Sequence, residues 1–329
     1  ERELARGGMG VVYVAEHVGL QRRVALKLLK AGAAAGSEER RRFEIEARST
    51  ASLDHPNIVR ILEVGENEWG MFFAMELVEG PTLKDKVRQG PLPCQEAARV
   101  LARLADALAY SHAHGVLHRD IKPANVLVAP DGRPVLTDFG LARDDDNSGL
   151  TKTGQLMGTP AYMSPEQAEG VPELIDRKSD IYSLGATLYE LLTGQPPFTG
   201  SAHEQLAALV TRIPQRPSRL RPEVDLDLET ITLKCLEKEP HERYATAKAL
   251  ADDLELYLDD RPIKARPPST GERLRRWGRR NRAAVIALVS VGVVVYLVGM
   301  VAFVHYARTQ AELAAKERLA ESRGEARVK

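Results

Sequence analysis

The chain has 329 residues, 43% hydrophobic and 28% charged, which is enough to bury a full-sized core and to hold one large or two ordinary domains. Its 46 basic and 46 acidic residues cancel, so no global charge argues for nucleic acid as a partner and every charge argument has to be local. Two cysteines, Cys94 and Cys235, are too few and too far apart for a cysteine-rich zinc site, and they read as inert core or near-core thiols in a reducing compartment.

The chain begins at Glu1 with neither a methionine nor a basic-then-apolar leader, and it reads as a fragment whose natural start is missing. From residue 4 to about 92, runs such as "GVVYVAEH" and "RRVALKLL" alternate with turn residues around one charged helical stretch, "SEERRRFEIEARSTASL". This predicts a small, mainly antiparallel sheet with a single helix. From about 95 to 257 the apolar spacing is helical: "EAARVLARLADALAYSHAHG" ends at Gly115 and "DIYSLGATLYELLTG" at Gly194, which predicts a helical lobe. Residues 259–282 read as a Pro- and Arg-rich linker, because successive prolines in "RPIKARPPSTG" block regular structure.

Residues 283–304 carry no charge over 22 positions, long enough at about 1.5 Å per residue to cross a hydrocarbon layer of roughly 30 Å. A buried core helix would keep a polar stripe, which this stretch lacks, so it is predicted to span a membrane. The preceding "RLRRWGRRNR" has six arginines and Trp277 at interface depth, an asymmetry that places residues 1–282 on the cytoplasmic side and in contact with lipid headgroups. The tail, residues 305–329, is then an extracytoplasmic, charged, helix-prone segment.

The densest chemistry lies in "HRDIKPANVLVAPDGRPVLTDFG", residues 118–140. Mg2+, with Mn2+ as a substitute, takes oxygen ligands and is commonly held by one or two protein side chains plus substrate phosphates, which suits Asn125 and Asp138. Asp120 is then left to orient a hydroxyl and accept its proton, while Lys122 offsets charge developing on the transferred group. Asp131 and Gly132 read as the turn of a hairpin between "NVLV" and "PVLT". His112, His114 and His118 are spaced by two or four, and they read as packing rather than as metal ligands.

With these residues in place, the chain resembles eukaryotic-type serine/threonine protein kinases of bacterial style over about residues 1–257. The resemblance implies an α+β, two-lobed kinase fold within residues 1–258, with a small lobe to about residue 80 and a large lobe from 81, followed by the predicted span. It implies ATP-dependent phosphorylation of serine or threonine hydroxyls on protein substrates, with transient self-association for autophosphorylation. "HRD", Lys122 and Asn125 are similar to the catalytic loop, and "DFG" from Asp138 to the metal-binding triplet. Lys27 in "VALK" matches the lysine that holds the α- and β-phosphates, and Glu46 the glutamate that pairs with it. "RGGMGVVY" resembles the glycine-rich loop, with Gly7, Gly8, Gly10 and Val12, although Ala5 stands where the family has its first glycine. That departure keeps a catalytically weak nucleotide-binding pseudokinase or scaffold as the alternative reading. Val12, Ala25, Met75 and Leu127 would close the adenine slot, and Glu76 to Val78 would offer backbone edges to the base. "GTPAYMSPE" matches the end of an activation segment, with Glu166 pairing Arg243 and Asp180 steadying the catalytic loop. The resemblance also implies Thr151 and Thr153 as phosphate acceptors, Arg119 as the partner of that phosphate, and Thr159 as the wall beside the acceptor hydroxyl.

Overall fold

The computed structural model describes residues 2–6, 10–29, 49–67, 70–139 and 160–265, and beyond them Leu297 and Met300. The chain forms two compact units, Glu1–Pro267 and Pro268–Lys329. Gly7, Gly8, Glu46, Thr151, Thr153 and Thr159 lie outside the described residues, as does the predicted span apart from Leu297 and Met300, which are helical and exposed. No helix among the described residues is long and apolar enough to cross a membrane.

The first unit opens with a sheet of five strands: β1 (Arg2–Arg6), β2 (Gly10–His17), β3 (Arg22–Leu29), β4 (Ile61–Asn67) and β5 (Gly70–Glu76). They lie in the order β1-β2-β3-β5-β4, and every pairing is antiparallel. Directly opposed residues share a face of the pleat, so the register decides what Lys27 sees. Lys27 stands opposite Val12 and Phe73, and Ala25 opposite Val14 and Met75. An otherwise apolar face therefore carries one ammonium. Ala25, Phe73 and Met75 pack with Val59 and Ile61, and with Ala129 and Val135 from the helical lobe, closing the sheet onto that lobe.

The chain leaves β5 through Gly80, where a Cβ would stand 1.9 Å from the Val128 carbonyl oxygen, so glycine alone lets the two backbones approach. Then come α1 (Leu83–Val87), capped by Thr82 and Asp85 in a reciprocal box, and α2 (Cys94–Ala113). Gly115, at φ 75°, turns the chain out of α2. Strands β6 (Val126–Val128) and β7 (Pro134–Leu136) form the predicted hairpin, with Gly132 at φ 80° in its turn. The remaining helices are α3 (Pro165–Glu169), α4 (Arg177–Thr193), α5 (Ala202–Thr211), α6 (Pro217–Leu220), α7 (Leu226–Cys235) and α8 (Ala247–Leu258).

Helix α4 is the axis of the lobe. Each residue from Ser179 to Leu192 is buried, and Gly185 leaves room for Cys235 of α7, whose Cβ would lie 2.4 Å from an added Cβ. Such continuous burial explains why this helix lacks a polar face. Past α8 the proline-containing segment is not loose through residue 265. Arg261 N–H donates to the Leu256 carbonyl, Ile263 is buried, and the buried Asp253 carboxylate accepts the N–H groups of Lys264 and Ala265 and the Tyr244 hydroxyl. Proline prevents helix here without preventing packing.

Candidate active site

The catalytic stretch is a loop between α2 and β6, and a buried carboxylate sets its shape. Asp180 of α4 accepts the backbone N–H groups of His118 at 2.9 Å and Arg119 at 2.7 Å, and His112 Nε2 of α2 lies 2.8 Å from the same carboxylate. Burial alone would raise the Asp180 pKa, but the His112 bond and the nearby imidazole and amides outweigh it and hold the carboxyl below its usual range. Arg119 adopts φ 65°, a left-handed conformation strained for an L side chain. It is held there from both ends, since its carbonyl also accepts Gln167 Nε2 at 2.9 Å. Gln167 in turn closes a capping box with Ser164 at the start of α3, which ties the end of the predicted activation segment to the catalytic loop.

His118 is fully buried, with its Nε2 3.0 Å from the Thr137 carbonyl and its Nδ1 accepting the Asp120 N–H at 3.3 Å. Those partners fix a neutral ring protonated at Nε2. Burial pushes its pKa below the ordinary 6.5, against the pull of Asp180 and Asp120. The ring lies against Phe139, with centroids 4.6 Å apart.

Around this frame the four predicted chemical residues converge. Asp120 Oδ2 accepts Lys122 Nζ at 2.7 Å and Asn125 Nδ2 at 3.0 Å. Because the Asn125 amide nitrogen also donates to the Asp120 carbonyl, its carbonyl oxygen is the atom left to face a cation. The hairpin register pairs Val126 with Leu136, and the Thr137 N–H and hydroxyl both donate to the backbone carbonyl of Asn125, so Asn125 and Asp138 emerge at the same end. Asp138, at φ 59°, accepts Lys27 Nζ at 2.6 Å from across the cleft. One carboxylate and one carboxamide make a poor self-sufficient metal site. They fit a Mg2+ ion whose remaining ligands come from phosphates and water.

On the sheet side, Val12, Ala25, Met75 and Val78 belong to one apolar cluster. Leu127 of β6 is half-buried and is bridged to Thr82. The Glu76 N–H donates to the Arg60 carbonyl at 2.9 Å. Ala5 sits in β1 opposite Val12, next to a register shift, and Gly10 opens β2 opposite Leu29.

Below the catalytic loop, Arg243 and Glu166 form a buried bidentate pair at 2.8 and 2.9 Å. The other Arg243 donors reach the carbonyls of Glu237, Lys178 and Lys238, and Ser179 donates to Glu166 at 2.6 Å. Burial raises the Glu166 carboxyl, and these donors more than reverse it. The sequence had pointed to this pair and to Asp180, but it set His112 aside. The available signal was a histidine six residues before His118 on a helix that must pass the buried Asp180. Gln167 was also missed, although its spacing from Ser164 is that of a capping box.

Residues 1–254 match the family described as "Protein kinase domain". Serine/threonine-protein kinase PknB of Mycobacterium leprae is 41% identical over 76% of this chain and 41% of its own length. PrkC of Bacillus subtilis is 42% identical over 78% of this chain and 40% of its own. The chain thus spans about two fifths of the length of the curated relatives it matches. Among solved structures, the PknI kinase domain of Mycobacterium tuberculosis superposes with a TM-score of 0.63 at 32% identity, covering 77% of this chain and 93% of that one. The chain belongs to the protein kinase family, and its first unit is a bacterial, eukaryotic-type serine/threonine kinase domain.

Proposed function

We propose that this chain transfers the γ-phosphoryl group of ATP to serine or threonine hydroxyls of proteins. The observation that carries this reading is Asp120, fixed by Lys122 and Asn125 at the mouth of a cleft whose other wall presents Lys27 to Asp138. The bound donor, with Mg2+ or Mn2+, supplies a good leaving group and an electrophilic phosphorus. Asp120 orients the acceptor hydroxyl and takes its proton as the new P–O bond forms and the β–γ bridge breaks to release ADP. Lys122 offsets charge on the moving group, and Lys27 exchanges Asp138 for the α- and β-phosphates. Asn125 and Asp138 would hold the cation through oxygen. The apolar slot of Val12, Ala25, Met75 and Leu127 would take the base, with backbone contacts from Glu76 to Val78 and phosphate contacts from Gly7, Gly8 and Gly10.

Membrane anchoring belongs to the same reading: residues 283–304 would span the bilayer, keeping the kinase domain beside cytoplasmic ATP, with self-association on the membrane promoting transfer between copies. Phosphate on Thr151 or Thr153 would recruit Arg119, order the segment, and present Thr159 to the acceptor. The test is ATP-to-protein transfer by the full chain in nanodiscs. Asp120→Asn should lower kcat by about 10²–10⁴-fold, with nucleotide affinity kept. Asp138→Asn should lose most transfer and need more divalent cation for what remains, and unchanged activity would remove Asp138 as a metal ligand. Undiminished transfer in Asp120→Asn would overturn the assignment.

A further inference from the structure

Between Glu204 and Glu223 the chain carries four arginines and no acidic residue. Arg221 serves the fold, donating to the Leu92 and Leu192 carbonyls at 2.6 and 3.1 Å. Arg212, Arg216 and Arg219 are exposed and form no ion pair among the described residues. The flanking acids are engaged locally: Glu204 closes the capping box of α5 with Ser201, and Glu223 lies 3.6 Å from Arg221.

Set among these arginines is an apolar tip. Ile213 is 88% exposed, with Val210 and Leu220 also exposed. The tip is held on its C-terminal side, where Pro214 next to Ile213 and Pro217 beyond it are buried and the Ser218 N–H donates to Glu229 at 2.9 Å. A rigid, exposed isoleucine costs little further ordering on burial. Apolar side chains ringed by basic ones are the composition of a surface that settles into the headgroup region of an anionic bilayer.

We propose that the end of α5 and the segment running into α6 form a docking surface for anionic lipid, laying the helical lobe against the membrane. Ile213 enters the interface, while Arg212, Arg216 and Arg219 contact headgroup phosphates. The proposal rests on the membrane span inferred above. Each arginine near an anionic surface raises residence there about fivefold.

Amide exchange of residues 206–220 is measured on the full chain in nanodiscs of phosphatidylcholine alone and of phosphatidylcholine mixed with phosphatidylglycerol. Exchange should slow at least about tenfold in the anionic discs, and this protection should disappear on adding salt and in both Ile213→Ser and the triple change Arg212→Glu, Arg216→Glu, Arg219→Glu. Equal exchange in the two discs would overturn the proposal. So would protection that follows protein concentration rather than lipid charge, which would assign the face to a second copy. Resistance to alkaline carbonate extraction reports the span separately, and a chain stripped by carbonate would still report docking through its exchange on the same anionic lipid.

Discussion

In the sheet, β1 is exposed along its whole length, and ion pairs such as Arg23–Glu79 and Arg6–Glu3 lie in solvent. In the helical lobe, by contrast, Glu166, Arg243, Asp180 and Asp253 are all buried, and their charged groups are met by amides, hydroxyls or opposite charge. Exposed pairs contribute about 0–1 kcal/mol, whereas a buried charge deprived of its partner is expensive. The two regions therefore do different work. Desolvated charges fix the backbone of the catalytic loop in one arrangement, including the strained Arg119. The exposed ion pairs of the sheet impose no such constraint, and its half-buried Lys27 reaches the helical lobe through Asp138.

The strongest way to break this contrast is Arg243→Met, which strands the Glu166 carboxylate and three carbonyls. It should cost about 3–5 kcal/mol in urea unfolding of the full chain in detergent. Arg23→Ala in the sheet should change the same measurement by no more than about 0.5 kcal/mol. Similar losses at the two sites would show that burial of charge does not distinguish the regions.

A pH series sharpens the comparison. The folded His118 pKa lies below 6.5, so its contribution is complete above that pH and is lost as pH falls toward the folded value, at up to about 1.4 kcal/mol per unit. Glu190, whose carboxyl burial raises, acts with the opposite sign, so the slope should be compared between wild type and His118→Asn. Equal slopes in the two proteins between pH 6.5 and 5 would remove His118 as the cause. The smallest effect belongs to Leu4→Ser in β1, expected within about 0.5 kcal/mol of wild type by thermal unfolding.

What could be read from the sequence followed from short range. Asp120, Lys122 and Asn125 sit within six residues, and the β6–β7 hairpin announces itself through Asp131 and Gly132. Helix ends at Gly115 and Gly194 carry their own signal in left-handed backbone. The Lys27–Asp138 contact joins residues 111 apart, and alternation in β3 shows only that Lys27 is turned inward. His112 was illegible for a related reason. Its partner lies 68 residues on, and a helix periodicity does not say which buried charge a neighbouring helix carries.

The fastening of residues 264 and 265 to Asp253 gives the kinase domain a mechanical property. Tension arriving along the chain beyond Ala265 would meet two amide hydrogen bonds to one carboxylate before it reached the last turn of α8. Tyr244, bound to the same carboxylate, shares the load with the segment that follows α7.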